Sequence, residues 1–160
     1  MNLSGYIQKA YFIREELHMA LEFTDVLRTS NELIDTQHEE LINRIAAFVQ
    51  SCEAGEQNKV KAIKMMDYMA EYTEFHFGEE EKLMESVNYP EIQKHKEKHK
   101  EFVKTVADME NMLEESEGPT DAFVEQVKAK VVDWILYHIK TFDRSIAEYI
   151  TMQNNPQYYN

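Results

Sequence analysis

Residues 58–86 read NKVKAIKMMDYMAEYTEFHFGEEEKLMES, a run with no proline and one glycine, Gly78. Its Met, Glu, Lys and Ala content favours helix. Within it Met69, Ala70, Thr73, Phe77 and Met84 recur near the helical period, and His76 and Glu80 stand in step with them. Residues four apart lie one turn apart on the same face, so this imidazole and this carboxylate point together toward an apolar interior. The spacing predicts a helix from about Asn58 to Ser86, with Asn88-Tyr89-Pro90 turning the chain behind it.

Three further helices follow from the same reading. The first runs from about Asn31 to Cys52 or Glu53, with Ser30 or Asn31 as N-cap and Gly55 just past its end. It carries His38 in step with Ile34, Leu41, Ile42, Ile45, Phe48 and Val49. Another spans roughly Glu91 to Ser116, with Pro90 near its first turn, and stops at Glu117-Gly118-Pro119. There His95 and His99 share the face of Ile92, Phe102, Val106, Met109 and Leu113. The last starts at Thr120 or Asp121 and reaches about Thr151, with His138 in step with Val131, Trp134, Ile135 and Phe142. Short connections between long helices imply antiparallel neighbours. The fold expected is all-α, an up-down-up-down antiparallel four-helix bundle over residues 31–152, followed by a polar tail at 153–160.

Residues 1–30 stand outside that bundle as an N-terminal extension. Ile7, Tyr11, Arg14, His18 and Leu21 have roughly helical spacing, which predicts a short extra helix that covers the bundle or mediates self-association or partner docking. His18-Met19 resembles a cloning-site junction and leaves an engineered origin of residues 1–18 open. His18 joins no pattern.

Composition narrows the partners. The chain has 160 residues, 4 Gly, 3 Pro and a formal net charge of −13. That length suits one domain, and that charge repels nucleic-acid backbones and anionic lipid surfaces. A single cysteine, Cys52, precludes an intrachain disulfide and suits a reducing compartment. No run of about 20 apolar residues exists to cross a bilayer. A soluble, cytoplasmic protein is expected, bound to neither nucleic acid nor membrane.

Four helices thus aim titratable groups at one core, where an unpaired charge or imidazole loses hydration for nothing in return. Metal coordination is the natural compensation, and His38, His76, Glu80, His95, His99, His138 and Asp143 make a ligand set for two ions. Asp143 fits least well, because five residues on from His138 is about 140° round an α-helix. It must approach from the side, or the helix must be locally distorted. A closed structural zinc site needs only four ligands. Ferritin-like di-iron bundles use Glu-x-x-His pairs, and the pair of that form here, Glu15-x-x-His18, lies outside the bundle. Glu39, Glu40, Glu79 and Glu81 are expected on the solvated face, as are Lys94, Lys96, Lys98 and Lys100.

The motifs Ile34-Asp35-Thr36-Gln37-His38-Glu39-Glu40-Leu41, His76-Phe77-Gly78-Glu79-Glu80-Glu81-Lys82-Leu83-Met84, Tyr89-Pro90 followed by His95-x3-His99, and Trp134-x3-His138-Ile139-x3-Asp143 together resemble the hemerythrins, in particular the single-domain bacterial type. The resemblance covers about residues 21–149. It implies two non-haem irons with an oxo or hydroxo bridge, and reversible binding of O2 for carriage, storage, delivery or sensing. Carried over position by position, His95, His99 and His138 would hold one iron and His38 and His76 the other, with Glu80 and Asp143 bridging. The resemblance also implies an O2 pocket shaped by Leu41, Phe77, Trp134 and Ile135, of which Ile135 departs from the expected leucine. Two alternatives remain beside oxygen binding. One is a di-iron enzyme acting on peroxide, nitric oxide or O2; the other is a helical interaction module with a largely structural metal site.

Overall fold

Local chemistry sets the starts of three bundle helices and the ends of two. The computed structural model describes residues 21–158. Helix α1 is Glu32–Glu53, α2 is Lys59–Ser86 and α3 is Ile92–Glu114. The fourth, α4, is one unbroken helical run over residues 121–154. Asn31 caps α1 by accepting from the Ile34 N–H, Asn58 caps α2 through Lys61, and Thr120 caps α4 through Phe123. These acceptors satisfy amides that have no partner inside the helix. At the other ends, α1 closes with Gly55 at φ 70° and α2 with Asn88 at φ 52°. Both closures place the paired 6→1 and 5→2 hydrogen bonds of a Schellman motif, Glu56 N to Ser51 O with Gly55 N to Cys52 O, and Tyr89 N to Met84 O with Asn88 N to Glu85 O.

The helices pack in cyclic order, α1 on α2, α2 on α3, α3 on α4 and α4 on α1. This is the up-down-up-down bundle expected from the sequence, and none of the described residues forms a strand. Its core runs from Phe48, Phe123 and Leu113 through Met66, Met69 and Phe102. The last helix extends to Asn154, a few residues beyond the expected end. The short helix expected in the extension at residues 1–30, read from Ile7 to Leu21, falls outside the described residues except for Leu21.

Helix α4 departs from the plain α form in two places. It passes from α (Asp121–Val127) to π (Lys128–Val132), to α (Asp133–His138), to π (Ile139–Asp143) and back to α (Arg144–Asn154). Its buried residues Phe123, Val127, Val131, Ile135, Ile139 and Asp143 stand four apart throughout. On a uniform α-helix, twenty residues at that spacing would drift about 200° around the axis. The i→i+5 turns widen the helix and hold the stripe on the bundle interior.

Residues 21–30 pack along α1 and α4, with Leu21 beside Ile42, Ile45 and Val132 and the turn Asp25–Leu27 against the stretch Ile139–Asp143. Leu21 and Leu27 enter the core, and a short 3-10 turn spans Asp25–Leu27. Two anchors hold the segment. Asp35, buried in the first turn of α1, accepts from both the backbone N–H and the hydroxyl of Thr29 at 2.7 and 2.8 Å. Arg144 of α4 donates to the carbonyls of Val26 and Arg28. Asp35→Ala strands two buried donors, so it is expected to cost about 2 kcal/mol. A urea midpoint lowered at unchanged slope is the check, with Asp35→Asn losing less.

Candidate metal centre

All four helices contribute to one cluster at the centre of the bundle. Helix α1 supplies His38, α2 His76 and Glu80, α3 His95 and His99, and α4 His138 and Asp143, each no more than 2% exposed. The i,i+4 pairs on α2 and α3 stack for the reason their spacing gives. Asp143 reaches the cluster because the π turn Ile139–Asp143 lies between it and His138. Residues five apart are stacked by an i→i+5 turn, so of the two routes expected the structure uses local helix distortion.

The two carboxylates divide the imidazoles into two groups. Glu80 Oε1 lies 3.6 Å from His38 Nε2 and 3.5 Å from His76 Nε2, and Asp143 Oδ2 lies 3.1 Å from His38 Nε2. Their other oxygens face the opposite way. Glu80 Oε2 is 3.2 Å from His99 Nε2 and 3.8 Å from His95 Nε2. Asp143 Oδ1 is 3.2 Å from His95 Nε2 and 3.1 Å from His138 Nε2. One group therefore offers four donor atoms and the other five, with ligand atoms in each within 4.8 Å of one another.

The polar atoms of the cluster are orphaned as they stand. His38 Nε2, His99 Nε2, both oxygens of Glu80 and both of Asp143 are buried without a hydrogen-bond partner. His95 Nε2 and His138 Nε2 face each other at 3.0 Å. Buried groups of this kind are nearly always satisfied in native proteins, and lone pairs converging on two points are what cations would satisfy. Five imidazoles with two carboxylates are a donor set suited to transition metals such as iron. The residues present therefore fit a metal centre.

Burial and charge act on these groups in opposite directions. Burial lowers the His76 pKa from 6.5 to about 4. Burial also opposes charging of His38, but the carboxylates of Asp143 and Glu80 outweigh it and raise that pKa from 6.5 to about 9. Despite burial, the imidazoles around Glu80 and Asp143 hold both carboxyls below their usual range.

Two outer contacts orient the rings. Gln37 Oε1 accepts from His76 Nδ1 at 2.8 Å, and Glu81 Oε1 accepts from His99 Nδ1 at 3.0 Å. Each fixes its imidazole with Nε2 turned to the centre. Neither is visible in the sequence pattern, because both contacts cross from one helix to another. Glu81, expected among solvated residues, is half-buried against His99, and Lys96 is likewise drawn in beside it. Of the residues expected to wall an O2 pocket, Phe77 stacks on His99 at 3.7 Å and Trp134 on His138 at 4.3 Å between ring centroids. Leu41 and Ile135 are buried in the main core. Phe142 also stacks on His138.

The metal-free protein should be most stable near neutral pH. Between pH 4 and 6.5 the unfolded chain protonates His76 and the folded chain does not, so stability falls with acid there. Between 6.5 and 9 the folded chain keeps a proton on His38 that the unfolded chain releases, so stability falls as pH rises. Chemical denaturation across pH 4 to 9.5 is expected to give a maximum close to 6.5. Metal loading should remove the alkaline limb by displacing the His38 proton.

Comparison with known proteins agrees with this architecture. The family model for the hemerythrin HHE cation binding domain matches residues 29–150, a span that holds all seven clustered side chains. A bacteriohemerythrin from Stenotrophomonas maltophilia (strain R551-3) is 28% identical over 138 residues, covering 84% of each chain. A second, from Clostridium acetobutylicum, is 37% identical over 90 residues, 54% of this chain and 66% of that one. A myohemerythrin from Riftia pachyptila is 27% identical over 119 residues, 74% of this chain and 84% of its own length. With three-quarters of its length matched to that model, the chain belongs to the hemerythrin family.

Proposed function

We propose that this protein binds O2 reversibly at a centre of two non-haem irons. The observation that carries the reading is the unequal split of donors around Glu80 and Asp143. His95, His99 and His138 with one oxygen of each carboxylate give five donors; His38 and His76 with the remaining oxygens give four. Two ferrous ions held by these residues would supply the two electrons that reversible O2 binding needs. The position beside His38 and His76 has one protein donor fewer, and so is the one left able to accept an outside ligand.

The chain's own residues have three tasks in this reading. Glu80 and Asp143, each with one oxygen facing either group of imidazoles, would hold both ions and contribute two negative charges to the centre. Gln37 and Glu81 keep the protons of His76 and His99 on Nδ1, so that Nε2 stays free to coordinate. Phe77, Trp134 and Phe142 lie flat against the imidazoles, and with buried Leu41 and Ile135 they keep water from the centre. Excluding water matters because stray protons would release reduced oxygen and strand the centre oxidised.

Purified protein reconstituted anaerobically with ferrous iron should take up two irons per chain and develop a visible charge-transfer band on exposure to O2. Removing O2 should erase the band. His76→Ala takes one of two imidazoles from the poorer position and is expected to weaken iron there by more than the roughly 10- to 100-fold that loss of an outer partner costs. Iron uptake without a reversible band would sink the proposal, and steady turnover of peroxide or nitric oxide in stopped flow would favour a di-iron enzyme instead.

A further inference from the structure

The two outer contacts on the imidazoles differ in charge, and they fall on opposite sides of the centre. Gln37, a neutral amide 5% exposed, accepts from His76 in the four-donor group. Glu81, a carboxylate whose side chain is 30% exposed, accepts from His99 in the five-donor group. The remaining imidazoles, His38, His95 and His138, have Nδ1 atoms without a hydrogen-bond partner. Glu81 also meets a cation. Its Oε2 lies 3.5 Å from Lys96 Nζ, which sits 2.8 Å from Glu85 as well. His99 and Glu81 both line an open groove of about 420 Å³ between α2 and α3, whose floor includes Phe77 and Gly78.

A carboxylate that accepts an N–H proton strengthens the far nitrogen of the ring as a donor, and does so more than a neutral amide can. Stronger donation stabilises the more highly charged state of a metal ion. We propose that Glu81 is a positioning residue that anchors His99 and, by its charge, makes the five-donor position the more readily oxidised of the two, with Lys96 moderating that charge. The cobalt arm of the test below needs only a metal centre; the redox arm rests on the di-iron reading. In each redox step one electron leaves a ferrous ion and passes to an added mediator dye, leaving a ferric ion.

The experiment compares the full chain with Glu81→Ala, Glu81→Gln and Lys96→Gln. Cobalt(II) titration of metal-free protein, followed by its d–d absorption, should show Glu81→Ala weakening the tighter site about 10- to 100-fold. Glu81→Gln keeps the shape and the acceptor but not the charge, so it should lose less affinity. In a mediator-poised optical titration of the iron-loaded protein, Glu81→Gln should raise the first midpoint by the equivalent of about a tenfold change, about 59 mV for one electron. Lys96→Gln should lower it. Glu81→Gln at the wild-type midpoint, or Glu81→Ala at wild-type cobalt affinity, would overturn the inference and leave Glu81 a surface ion-pair partner. Urea denaturation of the metal-free variants separates a loss of fold from a loss of donor strength. A chain that binds cobalt but forms no O2-dependent iron band fails the proposed function, while the cobalt comparison still decides the role of Glu81.

Discussion

The constraint on which the rest of this structure depends is the burial of two carboxylates and five imidazoles at a single point in a helical core. Taking one charged group out of water costs several kcal/mol even after relaxation. Glu80 and Asp143 are both buried, and without partners they would be among the least favourable groups in the chain. The surrounding imidazoles recover part of that cost, which is why both carboxyls are held below their usual range. The arrangement remains unfinished in the protein's own atoms, because both carboxylates and several imidazoles converge with buried polar atoms that lack a hydrogen-bond partner. Stability and metal binding are therefore the same problem here.

Shape follows from that requirement. One ligand-bearing turn comes from each of four helices, so their axes must be placed relative to one another at the level of the cluster. Ordinary packing does the rest: Phe48 and Phe123 at one end, and Met84, Tyr89 and Ile146 at the other, close the bundle above and below the polar layer. Aromatic rings fill the space between. Phe102 stacks on Trp134, which stacks on His138, while Phe77 covers His99 and approaches Phe102 edge-on. These rigid faces limit how far the imidazoles can swing, so the geometry of the donors is set by packing as much as by the outer hydrogen bonds.

What the sequence discloses follows from what is local in it. His76 with Glu80 and His95 with His99 are legible because a helix fixes i,i+4 neighbours without help from elsewhere. Caps at Asn31, Asn58 and Thr120 and the turn at Gly55 are legible for the same reason. Gln37 and Glu81 are not, since each reaches an imidazole on another helix and looks in sequence like one more polar residue beside a ligand. Asp143 lies between these cases: its misfit of about 140° is visible as a misfit, and the remedy is not. The earlier π turn, Lys128–Val132, carries no sequence signal beyond the fourfold spacing of buried residues, which becomes informative only once the helix is seen to hold it inward.

That spacing has a consequence for the direction in which α4 lies. A hydrophobic period longer than 3.6 residues winds a stripe opposite to the heptad seam of a left-handed coiled coil. By widening two turns, α4 keeps Phe123, Val127, Val131, Ile135, Ile139 and Asp143 all buried on the bundle side. The helix acts as a vernier scale against its plain α-helical neighbours. The first wide turn brings the apolar residues into register, and the second carries that register to the carboxylate at the centre. A residue gained or lost between them would rotate everything on one side by about 100°, so the length of this segment is as constrained as the identity of the ligand it delivers.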